Sequence, residues 1–132
     1  MTKYLLDTHI WLWALDEPHR LSQQVAEEIA SEENELWLSP ISIWELLILR
    51  QKGRIAADED FDELMRRVLR ALPVREASLT FEVVREMARV SLPHRDPADH
   101  FLVATARIFE LTLVTADQHL LKAPGISVLA NN

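Results

Sequence analysis

The chain contains no cysteine, only 2 glycines, and 14 basic side chains against 21 acidic ones. The absence of cysteine rules out disulfides, thiolate metal sites and a cysteine nucleophile. It fits a reducing compartment and leaves carboxylates and imidazoles as the available metal ligands. A net charge of −7 is the reverse of the basic excess by which proteins usually hold nucleic acid. Any nucleic-acid role must then rest on a local basic patch and on metal ions that neutralise an acidic site. No apolar run approaches the roughly 18 residues of a membrane span. In the opening stretch MTKYLLDTHIWLWALDE, Asp7 and His9 interrupt the apolar residues and no small-residue cleavage site follows, so the expected location is cytoplasmic. Without repeats or low-complexity tracts, residues 1–132 are expected to form one domain.

What is present alternates between strand and helix signals. Strands are expected at Tyr4 to Leu6, Glu35 to Leu38, Val74 to Ala77, Leu111 to Thr115 and Ile126 to Leu129. Helices are expected from Thr8 to Leu15 and from Ser22 to about Glu33. A third is opened by Ser39-Pro40 and stopped by Gly53, and a fourth runs from Asp60 to Leu72. Ser78 is expected to cap a helix carrying Leu79, Val83, Met87 and Val90. Asp96-Pro97 opens another helix, and a short helical turn should follow Asp117. This order predicts an α/β fold with a central, mainly parallel sheet and helices on both faces, in three layers, with its site at the carboxyl ends of the strands.

Most acids fall in polar stretches such as EENE and DEDFDE, but four keep apolar company. Asp7 ends YLL and precedes THIWLWAL; Glu45 lies inside ISIWELLIL; Asp99 precedes HFLVATA; Asp117 follows LTLVTA. An ionised carboxylate in such surroundings costs several kcal/mol unless it is paired or coordinated. Helix capping accounts equally well for Asp7 and Asp117, and it is a sufficient reason for Asp96. It does not account for Glu45, well inside its helix. If parallel strands end on one edge, the four acids meet in one pocket, and mutual repulsion raises their pKa values unless a divalent cation compensates. An all-oxygen donor set suits Mg²⁺ or Mn²⁺.

The motifs LLDTH, SIWEL, HRDPADHFLVATA and LVTAD, in this order and spacing, resemble the acidic motifs of PIN-domain ribonucleases, in particular the VapC-type toxins of bacterial toxin–antitoxin systems. The resemblance runs from Tyr4 to about Leu129. It implies a PIN-like fold and a metal-dependent endoribonuclease whose acids fall on Asp7, Glu45, Asp99 and Asp117. Asp7, Asp99 and Asp117 would hold the metal, and Glu45 would serve as an outer ligand or as general base. Thr115 and Thr8 match the hydroxyl residues beside the last and first acids, and Asp96 is mainly a helix cap with a secondary metal-site contact. One departure is His100, where members with this pattern often carry Arg. The resemblance also implies an RNA substrate, a cognate antitoxin packing along the N-terminal helices, and a homodimer.

Arg50, Lys52 and Arg54 follow the Glu45 helix, and Arg95 and Arg107 flank or lie on the Asp99 helix. Together they are candidates for holding an RNA backbone without reading sequence. His9 and His94 lie near the expected crevice, but no histidine pair has a metal-ligand spacing. Trp11 and Trp13, two apart on a helix, cannot easily share one face; unless both are buried, one marks an interface. Two other readings compete. One is a catalytically inactive PIN-like module that binds protein or nucleic acid, against which every acidic motif is intact. The other is a phosphohydrolase with an Asp nucleophile, which wants a second Asp two residues on, where His9 stands.

Overall fold

The computed structural model describes residues 1–54, 58–92 and 96–132. Its centre is a five-stranded, wholly parallel sheet in the order β3-β2-β1-β4-β5, made of β1 (Lys3–Leu6), β2 (Glu35–Leu38), β3 (Arg75–Glu76), β4 (Thr112–Thr115) and β5 (Val128–Ala130). β1 occupies the middle, with Tyr4 in register with Leu36 on one side and Thr112 on the other. It is apolar in successive positions because it is covered on both faces, as strands of parallel sheets are. Alternation separates the two cores. Tyr4, Leu6 and Val114 join Ile10, Trp11, Leu46 and Leu64 on one face; Leu5 and Leu113 join Leu102, Val103 and Ala106 on the other. The expected three-layer α/β arrangement is therefore present.

Six α-helices connect the strands among the described residues: α1 (Thr8–Asp16), α2 (Gln23–Ala30), α3 (Pro40–Gln51), α4 (Phe61–Ala71), α5 (Phe81–Met87) and α6 (Pro97–Phe109). The caps at Ser22, Ser39, Asp60 and Asp96 stand where the sequence puts them, each side chain accepting a bond from a first-turn amide. Gly53, at φ 71°, follows α3 in the left-handed conformation that only glycine adopts freely.

Several boundaries differ from the sequence expectation. α2 stops at Ala30 because the Asn34 side-chain amide donates to the Glu28 carbonyl at 3.0 Å and closes the helix end. α5 is capped by Thr80, whose hydroxyl accepts from the Val83 amide at 3.1 Å, and not by Ser78, which turns to Glu76. Leu79 and Val90 thus fall outside that helix. No helical turn follows Asp117 among the described residues. The Asp117 carbonyl accepts from Leu120 and the Leu120 carbonyl from Ala123, two successive tight turns that Pro124 ends. The last strand begins at Val128, after Gly125 at φ 79°. No helix among the described residues is long and apolar enough to cross a membrane.

Candidate active site

Asp7 follows the last residue of β1, Asp117 lies two residues beyond β4, Asp99 sits in the first turn of α6, and Glu45 is midway along α3. The two strands are neighbours and parallel, so their ends deliver Asp7 and Asp117 to the same edge. Asp7, Glu45, Asp96, Asp99 and Asp117 line one cavity of about 460 Å³ there, with His9, Trp13, Arg20 and Ala116. The four acids singled out in the sequence are thus brought together, and Asp96 joins them while capping α6 through the Ala98 amide at 3.0 Å.

Each acid is held differently. Asp7 caps α1: its Oδ1 accepts from the Thr8 amide at 2.8 Å and its Oδ2 from the Thr115 hydroxyl at 2.7 Å. Burial raises the Asp7 carboxyl above the ordinary carboxylate range. The Thr115 and Thr8 bonds and the nearby His9 offset part of that rise, and the charge of Asp117 adds to it. Thr115, wholly buried, also accepts from the Asp117 amide at 3.0 Å, so one hydroxyl ties the Asp7 carboxylate to the backbone at Asp117. Asp117 Oδ1 in turn accepts from the His119 amide at 2.9 Å and meets the His119 ring at 3.1 Å. Asp99 is buried, at 8% exposure, on the helix the sequence assigned to fixing it.

Glu45 is reached across the sheet edge by Thr8, whose hydroxyl donates to Glu45 Oε1 at 2.7 Å. Thr8 Oγ1 also lies 2.7 Å from Ser42 Oγ. The single threonine proton is engaged by the carboxylate, so Ser42 is the donor in that second bond. Burial is the largest cause of a raised Glu45 carboxyl; the Thr8 bond and His9 lower it, and the charges of Asp7 and Asp96 raise it further. Ser42 was missed in the sequence. It lies one turn before Glu45 and is fully buried, and that i, i+3 spacing from an acid in an apolar helix was the available signal.

Among the described residues, the basic side chains named from the sequence do not line this cavity. Arg107 Nη2 and Nε donate to the Pro124 carbonyl at 2.6 and 3.1 Å, and its Nη1 donates to Glu86 at 3.2 Å and to the Arg89 carbonyl at 3.3 Å. It is a tie between α6, α5 and the loop before β5, because eight positions along α6 carry it about 12 Å from Asp99. Arg50 is bound to the Glu59 carbonyl, and Lys52 is exposed at the end of α3; neither lines the cavity. Arg54 lines a neighbouring groove, and Arg95 and His94 lie outside the described residues. Arg20, unremarked in the sequence, is the arginine or lysine that lines the cavity among the described residues. His100 faces the Asp96 carbonyl through Nδ1 at 2.9 Å. Trp11 is completely buried, whereas Trp13, partly buried against the same core, also lines the cavity.

A parallel sheet of this strand order, carrying acids from two strand ends and two helices to one edge, defines an α/β domain with a carboxylate-rich centre. The chain belongs to the PIN domain family, whose family model matches residues 4–126. Among individual proteins it is similar to Ribonuclease VapC22 of Mycobacterium tuberculosis, 34% identical over 123 residues that cover 91% of each chain. Its fold resembles VapBC2 from Rickettsia felis bound to a DNA fragment from its promoter, with a TM-score of 0.72, 15% identity, and coverage of 99% of this chain and 100% of that one. It also resembles DNA-bound VapBC from Salmonella typhimurium, with a TM-score of 0.68, 16% identity and full coverage of both chains.

Proposed function

We propose that the protein is a divalent-metal-dependent endoribonuclease, the toxin of a type II toxin–antitoxin pair. The observation that carries this reading is the convergence of Asp7, Glu45, Asp96, Asp99 and Asp117 on one cavity at the carboxyl edge of the sheet. The relative named Ribonuclease VapC22, similar along nearly the whole chain, supports the choice of RNA.

The donor chemistry fits a hard cation: every acid offers oxygen, and like charges buried together favour a compensating positive charge. Among the described residues no group of three acids or histidines already stands in a metal-holding arrangement. Asp7, Asp99 and Asp117 would hold Mg²⁺ or Mn²⁺, which supplies Lewis acidity for water activation and for the charge developing on the phosphate. The chain's own residues do the rest. Thr115 keeps Asp7 and Asp117 in a fixed relation. Glu45, with Oε1 engaged by Thr8, accepts the proton of the attacking water, a task its raised proton affinity suits.

Partner docking belongs to the same proposal. Beside the cavity runs a groove of about 450 Å³, floored by Leu12, Leu15, Leu46, Leu49 and Leu64 and edged by Arg54 and Arg67. An antitoxin segment with apolar side chains suits that floor, and a basic residue at its tip would meet the carboxylates. Phe81 and Val84 on α5, at 91% and 50% exposure, supply apolar surface for a homodimer.

The test is cleavage of a structured RNA by the purified protein with Mg²⁺ or Mn²⁺, beside the Asp7→Asn variant and an EDTA control. Metal-dependent cutting that the variant loses is the expected result. Cutting that survives EDTA or the substitution overturns the mechanism, and failure to cut any RNA overturns the activity.

A further inference from the structure

Trp13 and Arg20 lie where the two concavities meet, since both line the acidic cavity and both line the groove beside it. Trp13 is in the second turn of α1. Arg20 ends a 3₁₀ turn, Pro18–Arg20, whose hydrogen bonds run from Arg20 to the Glu17 carbonyl at 2.9 Å and from Leu21 to the Pro18 carbonyl at 3.1 Å. A further anchor is Asn131, whose side-chain amide donates to the Arg20 carbonyl at 3.0 Å. On this fixed backbone the guanidinium carbon stands 4.2 Å from the Trp13 ring centroid, well inside cation–π range. His9 supports the same indole, with ring centroids 6.0 Å apart.

The charge distribution makes the position meaningful. Arg20 is the single arginine or lysine among the described residues lining a cavity that carries five carboxylates. Its ion pair is with Glu17 on the outer side, at 3.5 Å, and not with any of those five. Half of its side chain is open to solvent, so it does not serve as an internal counterion for the acids. A polyanion approaching the cavity meets repulsion from the acids and attraction at Arg20. An arginine laid on an aromatic ring is pre-ordered to meet phosphate oxygens in a forked, two-bond geometry.

We propose that Arg20, held over the Trp13 ring, binds the phosphate next to the one being cleaved and so seats the RNA strand across the acidic cavity. This rests on the ribonuclease reading above. It gives a protein of net charge −7 a local anchor for its substrate, and the contact is to the backbone, without base reading. The wall Arg20 and Trp13 form is shared with the groove, so the same two side chains are covered when the groove is filled.

Binding can be separated from cutting by working in the Asp7→Asn background with a fluorescein-labelled single-stranded oligoribonucleotide and Mg²⁺, followed by anisotropy over a salt series. Arg20→Ala is expected to weaken binding about tenfold and to lower the slope of log affinity against log salt by about 0.7, one phosphate contact on a single strand. Trp13→Leu keeps the charge but loses the platform, so it should weaken binding with the slope retained. Arg20→Lys should keep the slope while recovering only part of the affinity. In the cutting enzyme, Arg20→Ala should raise KM with kcat little altered. RNA binding that is indifferent to Arg20→Ala in both affinity and slope overturns the clamp and leaves the ribonuclease reading standing. An effect confined to antitoxin binding overturns it equally and makes Arg20 a partner contact. No binding of any RNA by the parent overturns both readings.

Discussion

Replacing Thr8 with valine removes one hydroxyl and almost no volume, yet it should destabilise the protein by about 3 kcal/mol. Two bonds disappear: the 2.7 Å donation to Glu45 Oε1 and the 2.7 Å contact with Ser42. The first is charge-assisted but lies at a half-buried carboxylate, so it is credited at the low end, about 1.5 kcal/mol. The second strands the Ser42 hydroxyl at 0% exposure, at a cost of about 1 to 2 kcal/mol. For 132 residues the unfolding entropy near 60 °C is about 0.28 kcal/mol/K, so the melting temperature should fall by roughly 11 °C. The assay is thermal and urea unfolding in EDTA, with a double-mutant cycle pairing Thr8→Val and Glu45→Ala. The cycle should return a coupling of about 1.5 kcal/mol. A coupling below about 0.5 kcal/mol, or a fall of less than about 3 °C, refutes the hydroxyl bridge as a link between the start of α1 and α3.

Asp99→Asn should abolish RNA cleavage, whereas Asp96→Ser, which preserves a cap on α6, should retain much of it; a gel assay on the same RNA compares them. Without metal, stability should depend on pH through Asp7. Its raised carboxyl keeps its proton in the fold at a pH where the unfolded chain has released it. The cost of ionising it is absent below the ordinary carboxylate range and grows as pH rises through the raised value. Asp7→Asn should therefore match the parent most closely below the ordinary carboxylate range and gain on it toward neutrality, as read from urea midpoints in EDTA; a constant difference would contradict the burial argument. Arg107→Ala should cost about 2 kcal/mol of stability by untying α6 from α5 and Pro124, while KM for RNA stays unchanged. A raised KM would return Arg107 to the substrate path.

The sequence carried the acidic centre well because its signals were local. Asp7, Asp99 and Asp117 follow or precede apolar runs that form the buried strands and helix, and Glu45 is conspicuous in a helix with few polar neighbours. What was not legible lay far away along the chain. Ser42 and Glu45 meet Thr8 across 34 and 37 positions, and no local pattern announces that contact. Arg50, Lys52 and Arg107 lie away from the cavity for a related reason. Proximity to an acidic motif in sequence says nothing about side, and the length of α6 sets Arg107 at its opposite end. The cap of α5 was misread because Ser78 and Thr80 are both suitable hydroxyls, and apolar spacing drew Leu79 into the helix while Phe81 begins it, almost fully exposed.

The bond between Thr115 and Asp7 joins residues 108 positions apart, across the central pair of strands. A ribosome delivers Asp7 well before Asp117, and β1 cannot acquire β4 as a neighbour until the chain between them has emerged. A partly made chain therefore holds its acids singly, each without the others. The polypeptide should be harmless to RNA until β4 has docked beside β1 and become competent only then.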